Sequence, residues 1–266
     1  MALALQIFHR GGWYFLARWA HVVAGITWIG LLYYFNFVQV PSFAQMEAAA
    51  RNNAIDKLAS RALWWFRWAA MATLGFGIML LALGNYGQSG YAMFHGGYFK
   101  SPEGVAIATG ILLAVTMFLN VWLVIWPNQK RVIANARNVQ AGGEADPAAA
   151  DAARRGALAS RMNTIFSFPM LFFMVGAAHF FLKSYITSSS SDRAVYWAVT
   201  LVIWLVLELN ALGVIGGRAA GNITNWMFET HARAIGTGLV LVVVWYALWE
   251  IIFPTVKITP FVVFFG

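Results

Sequence analysis

Six stretches of bilayer length dominate this chain. Segments 14–38, 63–83, 104–126, 164–182, 194–215 and 234–253 each hold about twenty mostly apolar residues, enough for a helix to cross a hydrocarbon core. In lipid every backbone N–H and C=O must be bonded within its own structure, which makes such stretches helices. The expected fold is an all-α integral membrane protein, a single domain over 1–266 built as a bundle of about six transmembrane helices. Composition agrees: 61% of residues are apolar and 11% charged, where a soluble domain carries about 25% charged residues. A water-soluble globular enzyme and a disordered chain are excluded. The sequence has no cysteine, so disulfides, iron–sulfur clusters, thiolate zinc sites and covalently attached c-type haem are excluded too. A redox centre would hang on histidine, methionine or a group bound non-covalently.

Lysine and arginine set the orientation, because they collect in cytoplasmic loops. Of the 18 present, twelve lie in or beside loops one, three and five, and six on the opposite side. Both termini are therefore expected in the periplasm, with the protein in the bacterial inner membrane. The net charge of +8 is scattered rather than clustered, so the partner expected is the lipid bilayer and not nucleic acid. Segment 42–61 reads as a cytoplasmic amphipathic helix. The Ala-rich loop 129–161 reads as an extension of the third and fourth spans, with AGGEADP at its tip. Loop 84–102, rich in Gly and Tyr, is expected at the outer face, and 255–266 is apolar but too short to cross. Residues 1–12 lack the charged start and cleavage site of a signal peptide.

Ionisable side chains inside a membrane are costly and are candidates for function. Two of the five histidines, His21 and His179, fall inside spans. At 1.5 Å per residue they lie about 10 Å and about 5 Å from the outer ends of spans one and four. Compatible depth on two helices suits axial ligation of a non-covalent, bis-histidine haem b. Gly25 and Gly176 stand one turn or less from these histidines on their own helix faces and are expected to leave slots for the macrocycle. Arg18 is placed to pair with a propionate, Trp28 to touch the ring, and Phe172, Phe173, Phe180 and Phe181 to wall it. The alternative is that each histidine only bonds a neighbouring helix. His95 falls in the outer loop, His9 at the interface, and His231 at the cytoplasmic side.

Glu208 and Asn210 in span five and Asn120 in span three are polar groups in apolar surroundings. They read either as interhelical hydrogen bonds or as a proton path or substrate site. Loop 221–233 (GNITNWMFETHAR) is dense in polar groups and reads as a hydrated hairpin or as a mouth for a planar polar ligand stacked on Trp226. Glu208 and His231 are the catalytic candidates. Gly75, Gly77, Gly236 and Gly238 read as packing notches.

The runs HVVAGITWIGLLYYFNFVQVPSF (21–43), FSFPMLFFMVGAAHF (166–180) and GNITNWMFETHARAIGTG (221–238) resemble the N-terminal membrane domain of the bacterial membrane-bound urate oxidases (urate hydroxylases). The resemblance is to that domain without the cytochrome c domain usually fused behind it. It implies a role in purine catabolism: conversion of urate to 5-hydroxyisourate, with electrons leaving to a c-type cytochrome. With no cysteine for a fused cytochrome c, a separate c-type cytochrome or a larger respiratory complex would be the acceptor. The alternatives are a non-catalytic cytochrome b or accessory subunit of such a complex, and a haem-free assembly subunit.

Overall fold

The computed structural model describes residues 5–84, 97–181 and 188–253, and among them every regular element is helical. Six helices are long and apolar enough to cross a membrane: α1 (Arg10–Gln45), α2 (Ala48–Leu83), α3 (Pro102–Gln140), α4 (Ala149–His179), α5 (Ser190–Ala211) and α6 (His231–Ile252). The chain is a multi-pass membrane protein whose helices suit association with a bilayer. His95 and segment 255–266 lie outside the described residues.

Helix ends depart from the apolar stretches wherever good helix formers continue them. Segment 42–61 is not one helix. It is divided by a turn at Met46, whose extended backbone (φ −81°, ψ 146°) separates α1 from α2. Residues 129–161 do prolong α3 and α4, with the chain reversing between Gln140 and Ala149. Span five stops at Ala211, four residues short of its apolar end, because the chain turns at Gly213 with φ of +75°. The bundle thus has two ends. The terminal end carries the starts of α1, α3 and α5, and the hairpin end carries the turns after α1, α3 and α5.

Prolines shape the interiors of these helices. A proline has no N–H and its ring crowds the carbonyl four residues back. In α1 and α3 a π-helical turn ends directly before the proline: the Val40 N–H bonds Phe35 O ahead of Pro41, and the Trp126 N–H bonds Val121 O ahead of Pro127. The wider turn takes up the mismatch. In α4, Pro169 leaves the Ile165 carbonyl without its helical donor. Gly238 of α6 sits on that spot, where a Cβ would lie 2.9 Å from Ile165 O and 2.6 Å from Phe168 Cδ2. Gly238 is thus a packing notch that lets α6 close onto α4.

The core is centred on α4, which touches α1, α3, α5 and α6. Of its most apolar window 67% is buried, against 22–39% in the other five helices. Helices α1 and α2 pair antiparallel along their length: Arg10 donates to Leu83 O, His21 to Thr73 O, and Phe35 meets Phe66 edge-on at 5.4 Å. Large apolar side chains such as Phe15, Trp65, Val202 and Val243 stand exposed on the outside, as a lipid-facing surface requires.

Candidate functional site

Polar side chains gather around the hairpin-side half of α4. Ser160, Asn163 and Ser167 follow one another at helical spacing and share a face. Asn36 Nδ2 donates to Ser160 Oγ at 2.8 Å and to Leu32 O at 2.9 Å. Asn163 Nδ2 donates to Met117 O at 2.9 Å, and its Oδ1 accepts from Asn120 Nδ2 at 3.0 Å. The same Asn120 amide reaches Glu208 Oε2 at 3.3 Å. Ser167 Oγ donates to Thr164 O and pairs with Tyr33 Oη at 2.9 Å. Helices α1, α3, α4 and α5 are thereby joined by one polar belt. Asn36, Asn120, Asn163, Ser167 and Glu208 are all buried within it.

Asn120 opens the π-helical turn Asn120–Ile125, a distortion common at functional sites. Glu208 is the belt's one carboxyl group, and buried amides can orient a planar polar molecule or a water beside it. Sequence reasoning singled out Glu208 and Asn120 but missed Asn36, Asn163 and Ser167. The signal was present: three polar residues at i, i+3 and i+7 where span four begins, and an asparagine in the middle of span one.

Next to the belt, towards the hairpin end, the chain between α5 and α6 folds over the bundle. Asn225 is fully buried, and its Nδ2 donates to Gly217 O at 3.2 Å and Ala219 O at 3.0 Å. Asn210 Nδ2 donates to Thr224 O at 2.6 Å. Arg154 of α4 clamps the same loop, bonding Glu229 at 2.7 Å and Arg218 O at 2.9 Å. Trp226, expected to stack on a ligand, is 51% exposed and carries the Arg233 guanidinium 5.1 Å over its ring. His231 is the exposed first residue of α6, and its ring lies 6.3 Å from that of Phe37. The structure does not bring His231 to Glu208: among the described residues no hydrogen bond joins them.

At the terminal end, His21 turns to α2. Its Nδ1–H donates to Thr73 O at 2.8 Å, and the ring lies against Gly77, where a Cβ would sit 3.2 Å from Cε1. Gly77, read as a packing notch, is the seat of this imidazole. Tyr33 and Ser167, bonded to each other, fix the heights of α1 and α4. His21 and His179 each stand twelve residues from that pin, so both lie roughly 18 Å from it towards the terminal end. Twelve residues also turn each helix by about a third of a revolution, which is why His21 faces α2 rather than the α1–α4 seam. His179 is the exposed last residue of α4.

Of the slots expected beside the histidines, the one at Gly176 is filled by protein, while Gly25 keeps room for a Cβ. A Cβ on Gly25 would meet Thr73 Cγ2 at 3.9 Å, an ordinary packing distance. The Gly176 carbonyl accepts from both Phe180 N and Phe181 N, folding the chain back so that the Phe181 ring fills the space beside Gly176. Arg18 bonds Tyr14 Oη at 2.5 Å, and Trp28 is buried in the core with no acceptor for its Nε1–H among the described residues. A carboxyl missed in the sequence, Glu103, is buried in the first turn of α3 and accepts from Tyr98 Oη at 3.2 Å. Burial, together with this carboxylate, holds the Tyr98 phenol above its ordinary range.

No curated protein and no solved structure matches this chain. A family model does, that of the urate oxidase N-terminal region, over residues 92–213. The matched stretch takes in α3, α4 and α5, and with them Asn120, Arg161, Asn163, His179 and Glu208, while His21 and His231 lie outside it. The match makes this stretch, under half of the chain, similar to the N-terminal region of the urate oxidases.

Proposed function

We propose that this protein is a membrane oxidoreductase of the urate oxidase type. One observation carries the reading: the residues matched by the urate oxidase family are those that build the Asn120–Asn163–Glu208 belt. Urate is planar and rich in carbonyl and N–H groups, a fit for buried amides and a carboxylate. In its conversion to 5-hydroxyisourate a water oxygen bonds to C5, while two electrons and two protons leave. Glu208 is the proton acceptor of this scheme, with Asn120 and Asn163 holding the ring and the water in place. The electrons pass to a c-type cytochrome at the periplasmic face.

In this proposal His21 and His179 would hold a haem b, and the His21 ring would have to reach the α1–α4 seam from its seat on α2. When bound, the haem supplies one-electron transfer between substrate and cytochrome. Support comes from His21: an Nδ1–H donated to a backbone carbonyl fixes the tautomer and leaves the Nε2 lone pair for a metal. The common height of His179 adds to it. Phe181 would have to leave Gly176 for a macrocycle to enter there.

The test is spectroscopic. Protein purified in detergent should show a Soret band with split visible bands on reduction, and anaerobic urate should reduce it. His21→Ala and His179→Ala should each abolish the low-spin spectrum, and His231→Ala should keep it. A haem spectrum that urate leaves untouched would instead favour an electron-transfer or accessory subunit. A native spectrum in His21→Ala would overturn the ligand assignment.

A further inference from the structure

Arg161 is the group that the belt does not explain. It lies between Ser160 and Asn163 on α4, is only 8% exposed, and makes no hydrogen bond or ion pair among the described residues. Glu229 is near enough to act on it electrostatically, yet that carboxylate is already bonded to Arg154. Burying an unpaired guanidinium costs several kcal/mol. At the same end, near the loop that carries Glu229, stand buried oxygens without partners among the described residues: Asn225 Oδ1 and Thr224 Oγ1 in the loop, and Asn210 Oδ1 in the last turn of α5. Flipping the amides does not mend this. Each Nδ2 is committed to backbone carbonyls, which only accept. Native interiors hold few such orphans, and those that occur call for an explanation.

We propose that Arg161, Asn210 and Asn225 form the recognition site for a small planar anion that carries ring N–H groups. Arg161 takes the anionic oxygen through a charge-assisted hydrogen bond, and the two amide oxygens accept from the N–H groups. The site lies at the hairpin end, where the loop that carries Asn225 is bonded to Asn210 through Thr224 O and comes within electrostatic reach of Arg161 through Glu229. This deepens the proposed function and rests on it for the choice of urate as probe. The chemistry also explains selectivity: an analogue lacking the N–H groups leaves buried acceptors unpaired and is rejected.

The experiment is equilibrium binding to the full chain in detergent, with urate, barbiturate, N,N′-dimethylbarbiturate and inorganic phosphate as probes. Barbiturate is a planar anion with ring N–H groups, and its dimethyl analogue keeps the charge without them. The wild type should bind urate and barbiturate, and bind the dimethyl analogue and phosphate about tenfold or more weakly, the scale of one lost hydrogen bond to a charged group. Arg161→Gln should weaken barbiturate binding by about tenfold or more while its thermal midpoint stays level or rises, because an unpaired buried charge has been removed. Equal binding by Arg161→Gln and wild type overturns the proposal, as does equal competition by phosphate or by the dimethyl analogue. Failure of the wild type to bind either N–H-bearing anion overturns it as well. Should Arg161→Gln fail to fold, the wild-type ratio of barbiturate to its dimethyl analogue decides alone. Barbiturate binding without any oxidation of urate would defeat the proposed function and leave this site standing. Oxidation of urate with an unchanged KM in Arg161→Gln would do the reverse.

Discussion

Helix α4 is two helices in character, and Pro169 marks the change. On the hairpin side polar Arg161, Asn163, Thr164 and Ser167 are buried among apolar Leu158, Met162, Ile165 and Phe166, with half-buried Ser160 beside them. On the terminal side the buried face is Met170, Phe173, Gly176 and Ala177, closed by aromatics. There Phe173 stacks on Phe181 at 5.3 Å, and Phe181 lies 4.5 Å from Trp249. The first half adds side-chain hydrogen bonds to its apolar packing, and the second is held by shape. A helix surrounded by lipid gains little from hiding apolar side chains. Polar groups, by contrast, are forced inward, and the half that hides them is the half able to carry chemistry.

The largest test of that contrast is Glu208→Gln. Glutamine keeps an oxygen for Asn120, so the belt and the fold should survive, while loss of a general base lowers turnover about 10²–10⁴-fold. Urate oxidation by the purified protein against its wild-type rate checks this. A rate within twofold or so would remove Glu208 from the chemistry. In the other half, Phe173→Ala should act on stability instead. Emptying a fully buried aromatic site costs about 3–5 kcal/mol, visible as a lower thermal midpoint, with KM for urate unmoved in the folded fraction. An altered KM would mean that the aromatic half also shapes the substrate site.

A smaller effect separates hydrogen bonding from packing. Tyr33→Phe deletes one bond of the belt and keeps the ring stacked on Phe37 at 5.0 Å. Ser167 still donates to Thr164 O, so no buried donor is orphaned. The expected cost is about 0.6 kcal/mol, the mean for such bonds between membrane helices. Unfolding in mixed detergent resolves a difference of this size. A cost several times larger would show that the belt acts cooperatively.

Which of these features could be read from the sequence follows from what each depends on. Six spans were legible because bilayer thickness sets a length that hydropathy can detect. The 42–61 segment was misread because amphipathicity marks helix but not the turn inside it. Asn120 and Glu208 stood out as polar residues in apolar runs. Asn163 and Ser167 did not, because they open a span whose preceding residues are polar as well. The height of His21 and His179 was accessible from counting residues along helices. Their azimuth was not: it is set by the Thr73 carbonyl and by Gly77, a long-range pairing that no local pattern announces. Gly176 reads in the sequence as room for a macrocycle, and in the structure the Phe181 ring lies there, brought back by a helix-end turn.

The weakest member of the series contrasts the belt with the water-facing hairpin between α3 and α4. Asp146 bonds Arg131 Nε at 2.6 Å and accepts from Ala148 N at 2.9 Å, while its own N–H donates to Asn135 Oδ1 at 2.7 Å. The Arg131 bond first, and the Ala148 N–H second, hold the Asp146 carboxyl below its ordinary value of 3.8. A carboxyl depressed in the folded state stabilises fully above its unfolded pKa and loses that contribution as pH falls through the folded one. The hairpin should therefore be held equally well at neutral and mildly acidic pH and loosen only below about 3.8. Exposed pairs of this kind are worth little and are screened by salt. Asp146→Asn should lower the thermal midpoint slightly at neutral pH and low salt, and the gap from wild type should close in strong acid or high salt. The Tyr33→Phe deficit, arising between neutral groups inside the bundle, should persist in high salt. If the two deficits respond alike to salt, the belt is as open to water as the hairpin, and the contrast between a sealed polar interior and a solvated polar turn fails.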